Sequence, residues 1–187
     1  MTNPKIIAFS GSTRTSSLNQ QLVDVAKGRL ENLGVTVTSV SLADYPMPIY
    51  DGDLEDASGI PETAQQFYEL LKDHDGMLIG CPEYNSSITP LLKNAIDWAS
   101  RPRPNDPPLV AFQGKICGLV AAAPGPIGGI RGLRHVASIL TSIGTIVVPP
   151  TVALGNAMTA MKDGAISDQR SSGLLDNLVA QMKRFLG

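Results

Sequence analysis

Lys5-Ile6-Ile7-Ala8-Phe9-Ser10-Gly11-Ser12-Thr13-Arg14-Thr15-Ser16-Ser17-Leu18-Asn19 joins an apolar run to a helix start through a loop rich in hydroxyls. Lys5 to Phe9 reads as a short buried strand, and Leu18 to Leu33 carries the periodicity of the helix that follows. A strand–loop–helix junction points free backbone N–H groups, and the positive end of the helix dipole, at one spot. Ser10, Ser12 and Ser17 can add hydroxyl donors there, and Arg14 a charge-assisted bond. Two readings stand at this point. The loop is either a phosphate cradle or an ordinary Ser-capped opening of a helix.

Working outward, strand and helix signals alternate to the end of the chain. Gly34 stops the first helix, and Val35 to Val40 is a β-branched strand. A long connection, Leu42 to Ile60, carries Pro46, Pro48 and an acidic run. Pro61 opens a helix over Glu62–Asp73 with Ala64, Phe67, Leu70 and Leu71 on one face. Gly76 to Cys81 is apolar throughout, as a strand covered on both faces should be. A loop, Pro82 to Thr89, leads to a helix from Pro90 to about Ala99. The strand Ile116–Ala121 ends in a glycine-rich loop, Pro124 to Gly129, before a helix over Leu133–Ile143. The strand Thr145–Val148 stops at Pro149-Pro150, and a last helix covers Asp168–Phe185. The segment Gly155–Asp168 gives no clear signal. Five strand–helix pairs in this order predict a parallel sheet with helices on both faces, in one domain over residues 1–187. Ligands of such sheets bind outside the carboxyl ends of the strands. The loops after the first, third and fourth strands therefore meet on one edge.

Composition limits what the edge can do. Hydrophobic residues make up 43 % and charged residues 17 % of the 187, enough apolar material for a sizeable core. A net charge of −2 without a basic block argues against nucleic acid as partner. No run approaches the roughly 20 apolar residues of a membrane span. Met1-Thr2-Asn3-Pro4-Lys5 lacks the apolar stretch of a signal peptide, so the cytoplasm is the expected compartment. Cys81 and Cys117 lie in strand positions and read as buried free thiols, not a disulfide. His74 and His135 fall in no triad or metal-ligand spacing, so no metal is expected.

The second loop and its helix read Cys81-Pro82-Glu83-Tyr84-Asn85-Ser86-Ser87-Ile88-Thr89-Pro90-Leu91-Leu92-Lys93-Asn94-Ala95-Ile96-Asp97-Trp98. This string resembles the signature of the NADPH-dependent FMN reductase family of flavodoxin-like proteins. Gly-Ser-x-Arg-x-x-Ser-x-Asn in the first loop resembles that family's phosphate loop, and Pro-Gly-x-x-Gly-Gly at Pro124 to Gly129 resembles its third loop. The likeness spans Lys5 to about Val148. One departure is Ser87-Ile88-Thr89-Pro90, where a Pro-Gly pair often precedes the helix. Thr89 and Pro90 then serve as N-cap and first helical residue.

The resemblance implies a flavodoxin-like, doubly wound, five-stranded parallel sheet of order 2-1-3-4-5. It also implies bound FMN, with NADPH or NADH as donor. Ser10, Ser12, Arg14, Ser17, Leu18 and Asn19 match positions at the FMN phosphate and ribityl chain. Pro82, Glu83, Tyr84 and Asn85 match the segment along the flavin ring, and Gly125 and Gly128 match the loop on its other side. The cofactor carries the hydride chemistry, so no catalytic side chain is required. Hydride would pass to flavin N5 and on to a quinone, free flavin, azo dye or chromate-type acceptor, with ping-pong kinetics. The alternative is a non-catalytic electron carrier of the flavodoxin type. A phosphatase or nucleotide-binding module using the first loop alone is a third class, though Arg14 lacks the cysteine partner that a cysteine phosphatase would need.

Other residues divide between roles. Tyr84 stacks on a ring or walls the loop, and Arg101, like Arg103, meets an anionic substrate or is plain solvated charge. Glu83 positions backbone in preference to acting as an acid or base. Trp98 packs in the core or on a subunit in preference to forming a binding stripe, Cys81 is structural, and His74 is a dipole partner at a helix C-terminus. The family resemblance implies a homodimer or homotetramer, with Leu42–Ile60 and the Trp98 helix as candidate contacts.

Overall fold

The computed structural model describes residues 3–162 and 164–187. Met1 and Thr2 of the expected leaderless start, and Asp163 of the unassigned 155–168 segment, lie outside the described residues.

The chain begins with β1 (Lys5–Ser10), buried beyond Lys5, and α1 (Leu18–Asn32). Ser17 caps α1, its Oγ accepting from Gln20 N at 3.2 Å. After β2 (Thr36–Ser39) the expected plain connection is in fact structured. It holds a 3₁₀ turn at Leu42–Asp44 and α2 (Gly52–Ser58), which is capped by Asp51. Asp51, Asp53 and Glu55 of the acidic run lie at the positive end of that short helix, where carboxylates are stabilising. Next come α3 (Glu62–Lys72) and β3 (Gly76–Gly80). Where a loop was expected at Pro82 to Thr89, β4 (Glu83–Tyr84) and β5 (Ser87–Ile88) form an antiparallel hairpin. Then follow α4 (Pro90–Ala99), β6 (Ile116–Ala122) and α5 (Ile130–Ser142). The chain ends with β7 (Ile146–Val147), β8 (Val152–Leu154), α6 (Ala157–Ala160), β9 (Met161–Lys162), β10 (Ala165–Ile166) and α7 (Gln169–Leu186).

The main sheet is parallel in the order β2-β1-β3-β6-β7, with β8 also paired to β6. This is the flavodoxin-like order 2-1-3-4-5 with its fifth strand in two pieces. Pro149 and Pro150 interrupt it, because proline has no N–H to give the ladder. The sheet therefore has six strands where five were expected.

Each face of the sheet has its own core. Ile6, Ala8, Leu78 and Val120 pack with Leu22, Val23 and Ala26 of α1 and Leu178 of α7. Ile7, Phe9, Ile79 and Leu119 pack with Phe67, Leu92 and Leu133 from α3, α4 and α5. Alternate strand residues supply the two faces, the period of two that a strand imposes. Gly80 lets α1 close on β3 directly under the first loop. A Cβ there would lie 2.9 Å from Asn19 O and 2.8 Å from a Val23 methyl.

Trp98 is fully buried, and its Nε1 donates to Pro48 O at 2.8 Å. With Asn94, whose Oδ1 accepts from Tyr50 N at 2.8 Å, it pins the 45–51 segment to α4. Of the two roles weighed for Trp98, the structure shows packing within the subunit.

Candidate functional site

At the carboxyl edge of the sheet a cleft of about 470 Å³ opens between three loops and a later segment. Ser12, Arg14, Ser17, Leu18 and Asn19 line one side, and Pro82, Glu83 and Tyr84 another. Its volume falls in the roughly 300–1,000 Å³ range of small-molecule sites.

Within the first loop Arg14 N donates to Ser12 Oγ at 3.3 Å and Ser17 N to Arg14 O at 3.1 Å. Gly11 N donates to Gly80 O at 2.8 Å, which anchors the start of the loop. Thr89 anchors it again, its Oγ1 donating to Gly11 O at 2.9 Å while accepting from Leu92 N as the α4 cap. Beyond that point the hydroxyls of Thr13, Thr15 and Ser16 are exposed. Arg14 takes part in none of the ion pairs among the described residues. Ser10 lies beneath, 1 % exposed, and its Oγ is a buried polar atom left without a partner among the described residues. By strand alternation it faces α1, under the start of that helix. A buried unpaired hydroxyl is costly unless something occupies the site above it.

Asn19 lines the cleft, but its side chain is largely committed. Nδ2 donates to Ala122 O and Oδ1 accepts from Ala122 N, both at 2.9 Å. The amide thus bolts the first turn of α1 to the end of β6.

The hairpin forms the opposite wall. Its two turn residues, Asn85 and Ser86, have φ of 49° and 68°. Positive φ at both central positions is what a two-residue hairpin turn of the primed type needs. Tyr84 is 55 % exposed on the cleft side, whereas Asn85 does not line the cleft. The Glu83 carboxylate turns to α5. Oε1 accepts from Arg131 Nε at 3.0 Å and Nη2 at 2.6 Å, and Oε2 accepts from Gly132 N at 2.9 Å. Burial opposes the charged form, but the Gly132 amide and the Arg131 guanidinium outweigh it and hold the Glu83 pKa below the usual range.

The third loop contributes Pro124, with Ala122 and Ala123, in place of its glycines. Gly128 has φ 64° and packs on the backbone of β8, where a Cβ would lie 2.7 Å from Gly155 N. Gly125 instead accepts from Asn156 N through its carbonyl, at 3.1 Å. A further wall comes from the 155–168 segment, which gave no sequence signal. Ala157, Met158 and Met161 line the cleft, because Ala157 N bonds to Ala123 O at 3.0 Å and folds α6 against the third loop.

Arg101 and Arg103 do not line the cleft. Arg101 pairs with Glu55 at 2.7 Å and sits over the Tyr50 ring, and Arg103 stacks on Tyr68 at 4.2 Å. Both sulfhydryls are free and buried, and burial pushes the Cys81 and Cys117 pKa values up, which makes them poor nucleophiles. His74 Nδ1 lies 2.6 Å from Leu70 O at the end of α3, a helix-end role. Among the described residues no cluster of His, Cys, Asp or Glu could hold a metal, and no helix is long and apolar enough to cross a membrane.

The family model of the NADPH-dependent FMN reductases matches residues 4–159. A quinone reductase of Escherichia coli K12 is 31 % identical over 185 residues, covering 97 % of this chain and 93 % of that protein. An NAD(P)H-dependent FMN reductase of Pseudomonas aeruginosa is 33 % identical over 174 residues, 91 % and 89 % of the two chains. Among solved structures, the flavoenzyme NAD(P)H:(acceptor) oxidoreductase of Paracoccus denitrificans superposes with TM-score 0.80 at 26 % identity, covering 98 % of this chain and 97 % of that one. An open, hydroxyl-rich loop faces an aromatic-bearing hairpin across one cleft, on a sheet of flavodoxin-like order, and with these likenesses the chain belongs to the NADPH-dependent FMN reductase family of oxidoreductases.

Proposed function

We propose that this enzyme binds FMN in the cleft and passes hydride from NADPH or NADH to a quinone-type acceptor. One observation carries the reading: an unpaired Arg14 and free hydroxyls stand at the start of α1, across the cleft from the Pro82–Tyr84 wall. Ser12, Arg14 and Ser17 would hold the phosphate, with the Ser10 hydroxyl beneath them. Leu18, Pro82, Tyr84, Pro124, Met158 and Met161 would give the ring apolar walls. When bound, FMN supplies the hydride acceptance and onward transfer, with donor and acceptor taking turns at one ring face.

The protein's own part is binding, orientation and exclusion. Arg14 neutralises phosphate charge, and Tyr84 shields one rim. Glu83, kept ionised and triply bonded, is spent on holding the wall and moves no proton. The exposed apolar rim of Tyr84, Ile127, Ile130 and Met158 fits a homodimer or homotetramer, which light scattering would test.

Purified protein is expected to be yellow with about one FMN per chain, and NADPH or NADH should bleach it. Double-reciprocal plots against a quinone should be parallel. Intersecting lines would overturn the alternating scheme, and colourless protein that takes up no FMN would overturn the cofactor. A panel of quinone, free flavin, azo dye and chromate then ranks the acceptors.

A further inference from the structure

Glu83 is the most heavily used carboxylate at the cleft, and none of its bonds points into it. Its side chain is 9 % exposed and takes two bonds from Arg131 and one from Gly132 N. A second tie joins the same two elements, His135 Nδ1 lying 3.0 Å from Ser87 Oγ. Both strands of the β4–β5 hairpin are thereby held to the first turns of α5. The fit leaves little room, since a Cβ on Gly132 would lie 3.3 Å from Glu83 Cβ. The helix that receives the clamp is the one the third loop opens, so the second and third walls form one block.

We propose that Glu83 and Arg131 are positioning residues that set the hairpin wall against the flavin, a role that rests on the FMN reading above. Arg131 makes this testable, because it does not line the cleft and its guanidinium bonds among the described residues go to Glu83, which does. Loss of the clamp frees the hairpin to shift while leaving the anion loop intact. Displacements of about 1 Å in a positioned site can change rates on the order of 100-fold, so effects on the bound cofactor well above measurement error are expected.

The test compares the parent with Arg131→Gln, Glu83→Gln and the double variant, using FMN titration of apoprotein by fluorescence quenching and the midpoint potential by dye equilibration. Each single variant should weaken the reduced form of the bound cofactor about tenfold more than the oxidised form, a fall of about 30 mV for a two-electron couple. The double variant should be no worse than the worse single, as residues acting through one contact are non-additive. Arg131→Lys, which keeps the charge, should recover part of the shift. A purely structural role would lower the melting temperature and leave the potential unchanged. Potentials equal to the parent's in both singles, or additive shifts, overturn the positioning role alone. Failure of the parent to bind FMN overturns the functional reading and this role with it.

Discussion

The first loop and the hairpin face each other across one cleft and are built on opposite plans. Gly11 to Asn19 is held at its two ends, by Gly80 and Thr89 at Gly11 and by Ala122 at Asn19, and leaves the Arg14 side chain between them outside every ion pair among the described residues. The hairpin spends its charge internally, on Arg131 and Gly132, and shows the cleft an aromatic side chain. An anion site needs donors with nothing yet to donate to, whereas a ring site needs a wall that does not move. On the proposed reading the difference separates retention from electronic tuning, and substitutions in the two regions should fail in different assays.

The largest expected effect is at Arg14. Removing a hydrogen bond to a charged group is worth about 1.5–3 kcal/mol, so Arg14→Ala should raise the FMN dissociation constant roughly 10- to 150-fold. The flavin-loaded fraction should keep its reduction rate in stopped flow. A normal dissociation constant with a slowed reduction rate would collapse the contrast between the two regions.

Thr89 links them, bonding the first loop and capping the helix behind the hairpin. Thr89→Val should cost about 1–2 kcal/mol in urea unfolding of the apoprotein, the range for losing a cap. It should also weaken FMN binding slightly. Ser86 sits at φ 68°, a left-handed conformation that costs a non-glycine residue roughly 1–2 kcal/mol. Part of that returns as glycine's chain entropy, so Ser86→Gly should stabilise the apoprotein by up to about 1 kcal/mol. Unchanged or lowered stability would mean that the turn is not strained as described.

The smallest effect concerns acid. Because the folded Glu83 pKa is depressed, the clamp stabilises above the ordinary glutamate value, about 4.3, and is lost as pH falls through the lower folded value. The parent should therefore lose stability in that window more steeply than Glu83→Gln. Matching acid limbs in pH-resolved urea titrations would show that the carboxylate is not the clamp's charge.

Much of this architecture was legible in local pattern. The alternation of apolar strands and amphipathic helices carries the sheet and its two faces, and Thr89-Pro90 and Ser17 mark helix starts where the structure has them. What stayed hidden depends on distant partners. The bond that ties Asn19 to Ala122 has no local sign, and Arg101 and Arg103 read as substrate contacts or solvated charge until Glu55 and Tyr68 reach them. The hairpin escaped notice because its turn is Asn-Ser, without the glycine that marks such turns in sequence. Met158 and Met161 reach the cleft only because α6 hangs on Ala123, a contact with no local signature.

The bolt between Asn19 and Ala122 spans 103 positions. A chain emerging from the ribosome makes the whole first loop early and can anchor its start on Gly80 and Thr89, yet Asn19 at its far end has no partner until β6 has left the exit tunnel. The proposed flavin cleft is thus completed late in synthesis, since a chain stopped before Ala122 would carry the loop and the hairpin but neither the Asn19 bolt nor the wall from Ala122 to Met161.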